Sequence, residues 1–189
     1  FAAANLVVLL GFTVYFLARR NFEFLVYAVS LSLLVFIIEK TDRIFRYGKA
    51  AKAGFTVWLL LHLLGGTLYL KGVRLYDMML IPIAGEPYNI LRYDQVIHAF
   101  CYFVMTFFLD AVVMYLGRRD APKFTLGLIT GLAALGLSAV NEIIEFGAVV
   151  FFHSSGVGGY YNNALDLVFN LLGILVALGV LWRGRRAGP

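Results

Sequence analysis

Six nearly unbroken apolar runs, over residues 2–18, 22–39, 53–70, 94–116, 124–152 and 163–182, divide the chain, and most of its charge lies in the short segments between them. A hydrocarbon layer about 30 Å thick is crossed by about 20 helical residues, and the runs match that length. Each run is continuous and lacks the in-and-out alternation of membrane strands, which predicts helices rather than a barrel. The expected fold is therefore all-α, a polytopic membrane protein built as a bundle of six transmembrane helices. At 189 residues it forms a single transmembrane domain. The fifth run exceeds one crossing and has to tilt, bend near Gly147 or emerge from the bilayer. No internal repeat is visible, so an inverted-repeat transporter has no support in the pattern.

The basic residues orient the bundle. Lys40, Arg43, Arg46, Lys49, Lys52, Arg118, Arg119, Lys123, Arg183, Arg185 and Arg186 fall on one side, eleven in all, against five on the other: Arg19, Arg20, Lys71, Arg74 and Arg92. The positive-inside rule then predicts both termini in the cytoplasm, with the loops after the third and fifth runs facing outward. The loop from Lys71 to Arg92 mixes Leu75, Met78, Met79, Leu80, Ile81 and Ile83 with Asp77, Glu86 and two prolines. It reads as an interfacial segment, with a short amphipathic helix ending before Pro82. The loop from His153 to Asn162, with Gly156, Gly158, Gly159, Tyr160 and Tyr161, reads as flexible, with aromatic anchors at the headgroups. Either loop is placed to gate a site beneath it.

Composition agrees with lipid as the solvent. The chain is 61% hydrophobic and 14% charged, and its mean hydropathy is +0.84, whereas a soluble domain is about 45 to 50% apolar and about 25% charged. The net charge of +5 sits in clusters that membrane orientation explains, which excludes nucleic acid as a partner. The lone Cys101 forms no intrachain disulfide and reads as a small buried hydrophobe. The chain opens at Phe1 rather than Met, leaving room for residues upstream, and its first run lacks the basic flank of a signal peptide.

Ionisable residues inside the runs gather in three stretches with helical spacing. Asp94 and His98 are i,i+4, Glu142 and Glu145 are i,i+3, and Asp166 and Asn170 are i,i+4, so each pair shares a helix face. At about 1.5 Å per residue, His98 lies roughly 6 Å and Asn170 roughly 10 Å below the outer ends of their runs. Glu142 lies roughly 27 Å from the cytoplasmic start of its own, so three helices offer polar groups at similar depth. Buried charge in lipid costs about 2.5 to 3.5 kcal/mol per group, and such groups turn inward and find partners. Carboxylates and one imidazole make a hard or borderline metal site, with Asp94, His98, Glu142, Glu145 and Asp166 as ligands and Mn, Fe, Zn, Mg or Ca as chemically suitable divalent ions. Glu142, Glu145 and His98 are the candidate catalytic groups, and Asn170, Asn163 and Arg92 the candidate substrate contacts. The competing reading is that these groups are hydrogen bonds holding helices together, with Asp94 and Asp166 as helix caps. A surplus of acceptors over donors favours the pocket.

Elsewhere plainer readings suffice. His62 reads as an interhelical hydrogen-bond partner, Gly65 and Gly66 as sites of close helix packing, and Asp110 as a partner of the Arg118 region. Glu39, Lys40, Asp42 and Arg43 read as an interfacial salt-bridged turn, and the basic loop and the Arg183 to Arg186 tail suit anionic lipids as well as topology.

Arg92-Tyr93-Asp94 through His98, Asn141-Glu142-Ile143-Ile144-Glu145-Phe146, and Asp166 through Asn170 to Gly173 together resemble the YjdF-like bacterial inner-membrane family, and more loosely VanZ-like proteins. The matching stretches lie in the C-terminal half. The family pattern has a further acidic residue about one turn before Asp166, where this chain has Asn162 and Asn163. The resemblance implies a prokaryotic plasma-membrane location and supports architecture more than chemistry.

Three functions remain open at this point. One is an outward-facing intramembrane pocket that binds a divalent metal and handles a lipid or envelope-linked substrate, with membrane lipids around it and oligomer formation open. Another is an ion or proton-coupled transporter, and a third is a non-catalytic membrane scaffold or assembly partner. No serine, cysteine or phosphate-loop nucleophile motif accompanies the cluster.

Overall fold

The computed structural model describes residues 1–20, 22–117, 121–152 and 159–186. Among them are six helices: α1 (Ala2–Ala18), α2 (Phe22–Phe45), α3 (Lys49–Thr67), α4 (Tyr93–Leu116), α5 (Lys123–Phe152) and α6 (Tyr160–Arg186). Every apolar run is one helix, with ends moved by a few residues. Three helices, α4, α5 and α6, are long and apolar enough to cross a membrane, and α1 is a shorter apolar helix. The 30 residues of α5 extend about 45 Å, past a hydrocarbon layer of about 30 Å, and α5 runs without a break through Gly147.

The polarity is inverted relative to a soluble bundle. Val7, Val29, Ile143 and Val176 are exposed, while Asn5, Thr106, Thr130, Ser138, Asp166 and Asn170 are fully buried. Apolar faces this extensive need a hydrocarbon environment, and the polar groups they enclose are those that must avoid it.

α4 is the central element, lying against α3, α5 and α6, while α1 packs on α2 and α3. Gly173 sets the tightest of these contacts, because a Cβ there would collide with the backbone of Ala99 on α4. At Gly54 an added Cβ would lie 3.0 Å from Val104 Cγ2 of α4. Phe55, Leu59 and Leu63 of α3 fill the core with Phe108 of α4 and Phe16 of α1.

The loop between α3 and α4 departs from expectation. In place of an amphipathic helix it forms two antiparallel hairpins, β1 (Tyr69–Leu70) with β2 (Val73–Arg74), and β3 (Met79–Ala84) with β4 (Ile90–Arg92). A short 3-10 helix, Leu75–Asp77, joins them. Local chemistry explains the change. Lys71 and Gly72 both take positive φ, 52° and 84°, the two-residue turn that matches strand twist. β3 carries Ile81, Pro82 and Ile83, a β-branched stretch in which Pro disfavours a helix.

Two smaller expectations also change. Glu39, Lys40, Asp42 and Arg43 are not a turn but the last turns of α2. There Asp42 binds Lys52 Nζ at 2.6 Å and accepts from Tyr47 N at 2.8 Å, closing the α2–α3 corner. Asp110 pairs with Arg185 of α6 and accepts from Thr130 Oγ1 at 3.2 Å; Arg118, the expected partner, lies outside the described residues.

Candidate functional site

α4 begins where Gln95 reaches back over its own N-terminus. Its Oε1 accepts from Leu91 N at 2.7 Å and Arg92 N at 3.1 Å, and its Nε2 donates to Asn89 O at 3.2 Å. Arg92 is the N-cap residue, so Asp94 is not the cap that remained open on sequence grounds. Asp94 instead sits in the first turn with its carboxylate turned to His98, one turn on.

His98 is the hub of the site. Its Nε2 lies 3.6 Å from Asp94 Oδ1 and 3.9 Å from Glu145 Oε1, and its Nδ1 lies 3.5 Å from Glu142 Oε1. The i,i+3 spacing of Glu142 and Glu145 turns both carboxylates to this ring from α5, and both are buried. Asp166, fully buried on α6, completes the ring of acids; it lies inside the helix rather than capping it, because α6 starts at Tyr160. One oxygen from each of Asp94 and Asp166 and a nitrogen of His98 lie within 4.8 Å of one another, as do atoms of His98, Glu142 and Glu145.

Four asparagines line this ring and donate into it. Asn141 Nδ2 donates to Glu145 Oε1 at 2.8 Å, and Asn163 Nδ2 to Glu142 Oε2 at 3.2 Å. Asn170 Nδ2 donates to Ser138 Oγ at 2.8 Å and Glu142 Oε1 at 3.2 Å. Asn162 Nδ2 bridges Asp94 and Asp166, which ties α4 to α6 where the family pattern has an acid. Among the described residues no Lys or Arg pairs with these carboxylates. The buried Oδ1 atoms of Asp166 and Asn170, and Nδ1 of His98, make no hydrogen bond among the described residues.

Asp94, His98, Glu142, Glu145, Asp166, Asn163 and Asn170 are thus brought together. Arg92 stands apart: its Nη1 is 4.0 Å from Asp77 Oδ1. It lines a separate cleft of about 250 Å³ with Tyr88, Asn89, Tyr161 and Asn162, and Asn162 joins that cleft to the ring. The flanking loop, with Gly156 and Gly158, lies outside the described residues, whereas Tyr161 stacks edge-on to Tyr88 at 5.3 Å. Ser138, Asn141 and Asn162 lacked a role in the sequence reading. Ser138 sits four residues before Glu142, and Asn141 four before Glu145, so the helical period was the signal that marked them.

Beside the ring, His62 of α3 binds the phenol of Tyr76 through Nδ1, so its partner is the 3-10 segment rather than another helix. Gly65 makes room for that phenol, since a Cβ there would lie 2.9 Å from Tyr76 and 3.0 Å from Tyr93. Burial, aided by the charges of Asp94 and Glu145, holds the Tyr76 phenol well above its usual range, so it keeps its proton.

Apolar exterior, buried polar interior and three long apolar helices define a helical membrane protein. The chain belongs to the family described as predicted membrane protein (DUF2238), whose model matches residues 1–187. No curated protein and no solved structure matches it.

Proposed function

We propose that this protein is a membrane-embedded centre in which Asp94, His98, Glu142, Glu145 and Asp166 share a divalent cation and act on a lipid or envelope-linked substrate. The observation that carries the reading is the packing of four carboxylates around one imidazole in two triads that share it: one ligand atom each of Asp94, His98 and Asp166 lie within 4.8 Å of one another, and so do one each of His98, Glu142 and Glu145. Acids held so close, away from water and without a Lys or Arg partner among the described residues, repel one another unless they take up protons or a cation. Buried oxygens on Asp166 and Asn170 without hydrogen bonds among the described residues add to the demand for a positive ligand. Oxygen donors with a single imidazole suit Mn, Fe, Zn, Mg or Ca.

A bound cation supplies polarisation of a substrate oxygen or a lowered pKa for water. Among the protein's own groups, Glu142, Glu145 and His98 accept or return the proton, each being within reach of the same space. Asn163 and Asn170 orient what enters, and Arg92 meets the polar part of the substrate at the outer cleft. In this reading all six helices span a bacterial plasma membrane, the location the YjdF-like resemblance implies, and the distribution of basic residues puts both termini in the cytoplasm, so the centre opens outward.

A proton- or ion-coupled transporter has one observation in its favour. Asp94, His98, Tyr102, Thr106 and Asp110 recur every four residues, a polar stripe along α4. The stripe is interrupted, however. Thr106 spends its hydroxyl on Tyr102 O, and between Ser138 and Thr130 the interior is filled by Ala134, Ile174 and Ala177. A scaffold without chemistry is the remaining alternative.

Metal content of the purified protein separates these readings. One divalent ion per chain, lost in Glu142→Gln and Glu145→Gln variants that still fold, supports the centre. A folded parent that takes up no divalent ion removes it.

A further inference from the structure

A second cavity, of about 190 Å³, lies between α2, α3, α4 and α5, with Leu31, Leu34, Ile97, Met105 and Leu137 among its mostly apolar lining. His98 and Glu145 border it, so it adjoins the carboxylate ring. Trp58 and His62 line it as well, one turn apart on α3, with ring centroids 5.3 Å apart. Trp58 is only 7% exposed. Its Nε1 and the Nε2 of His62 are both buried without a hydrogen-bond partner among the described residues.

These two atoms ask for the same kind of ligand. Indole Nε1 can only donate. The Tyr76 phenol sits on His62 Nδ1; with that hydroxyl donating, the imidazole carries its own hydrogen on Nε2, which becomes a second donor. A buried donor left unsatisfied costs about 1 to 3 kcal/mol, and native interiors rarely tolerate two together. The missing group is an acceptor oxygen on an apolar body. An anion is disfavoured, because the Glu145 carboxylate borders the same space. Within a bilayer, the most abundant neutral acceptor joined to hydrocarbon is the carbonyl of an acyl ester.

We propose that this cavity seats the ester carbonyl of a membrane lipid, with Trp58 and His62 donating to its oxygen and the acyl chain lying against Leu31, Leu34 and Leu137. The space exceeds the cavity of about 150 Å³ that accepts a benzene ring, so it holds the ester and its first methylenes while the rest of the lipid extends along the helices. This deepens the proposed function, on which it rests for its chemistry, by naming the bond presented to the His98 side of the centre. The binding step itself depends on different atoms.

Fluorescence tests it directly, because the chain has two tryptophans and Trp182→Phe leaves Trp58 as the reporter. In maltoside micelles containing chelator, 1-monooleoylglycerol is titrated against the corresponding alkyl ether, which lacks the carbonyl. The ester is expected to bind about 30-fold tighter, the worth of two buried hydrogen bonds at about 5-fold each. His62→Phe should cut that preference to about 5-fold, the share of the Trp58 donor, while leaving the ether unchanged, and Leu137→Phe, which fills the cavity, should weaken both probes. Equal affinity for ester and ether overturns the proposal and leaves water as the partner of the two donors. Should His62→Phe fail to fold, the ester-to-ether ratio of the parent still decides. Metal content measured on the same protein before chelator is added keeps the two ideas apart: ester preference without metal sinks the cation centre alone, and metal without ester preference sinks the lipid site alone.

Discussion

Replacing Gly173 by Ala adds one methyl group at the point where α4 and α6 come closest. An ideal Cβ at position 173 would sit 2.8 Å from the carbonyl carbon of Ala99 and 3.1 Å from its Cα. Carbon pairs prefer about 3.5 to 4.0 Å, and the Ala99 carbonyl oxygen lies closer still, so the helices have to part by more than about 1 Å, and no flexible side chain can yield in their place. Overpacking of this kind costs about 1 to 3 kcal/mol, and the gain in helix propensity from Gly to Ala returns up to about 1. The net expectation is a loss of about 1 to 2 kcal/mol in unfolding by denaturing detergent, followed by circular dichroism. Gly179, on the same helix, is the control. A Cβ there meets nothing within 4 Å, so Gly179→Ala should be neutral or stabilising by up to about 1 kcal/mol. The loss should also reach the site, because Asn170 and Asp166 lie one and two turns before Gly173, and cation uptake should weaken. Equal stability of the two variants would refute the close approach of α4 and α6.

Other predictions follow from separate parts of the fold. Asp110→Asn should lose about 1 to 3 kcal/mol in the same unfolding assay, since Arg185 and Thr130 both depend on that carboxylate; wild-type stability would mean the pair is idle. The Tyr76 phenol, raised by burial, should resist ionisation in an ultraviolet titration at pH values where ordinary tyrosines, near pH 10, lose their protons. Its folded pKa exceeds its unfolded value, so its stabilising contribution is complete below about pH 10 and disappears as pH rises through the folded pKa. Tyr76→Phe should therefore flatten that alkaline decline, and an unchanged decline would count against the buried phenol. In a Cys101→Ala background, Gly85→Cys should label from outside the cell and Gly48→Cys only from inside, and the opposite pattern would reverse the bundle.

The helices were legible because continuous apolar runs of bilayer length admit few other structures; their ends shifted where polar residues continued the helix, as at Glu39 to Arg43 and Tyr160 to Asn162, and where α3 gave way to β1 after Thr67. The Lys71–Arg92 loop was not legible as strands: its apolar residues fit an amphipathic helix by composition, and a two-residue turn at Lys71-Gly72 is a local backbone event. Helical spacing fixed which acids share a face, and depth counting placed them at one level. Neither carries information about the neighbours across a helix interface. For that reason the bridge from Asn162 to Asp94 and Asp166 was invisible, and so was the partnership of Asp110 with Arg185, 75 residues away in sequence. Trp58 drew no notice because an isolated tryptophan in an apolar run looks like core until its nitrogen is seen to lack a partner.

Pulsed electron paramagnetic resonance on Mn²⁺-loaded protein with ¹⁵N-labelled histidine tests the cation centre most directly, because the chain has three histidines and the account assigns the ligand to one. Coupling to a single imidazole nitrogen is expected, abolished by His98→Ala and retained in His62→Phe. Manganese that shows no histidine coupling, or coupling that survives the loss of His98, would contradict the account.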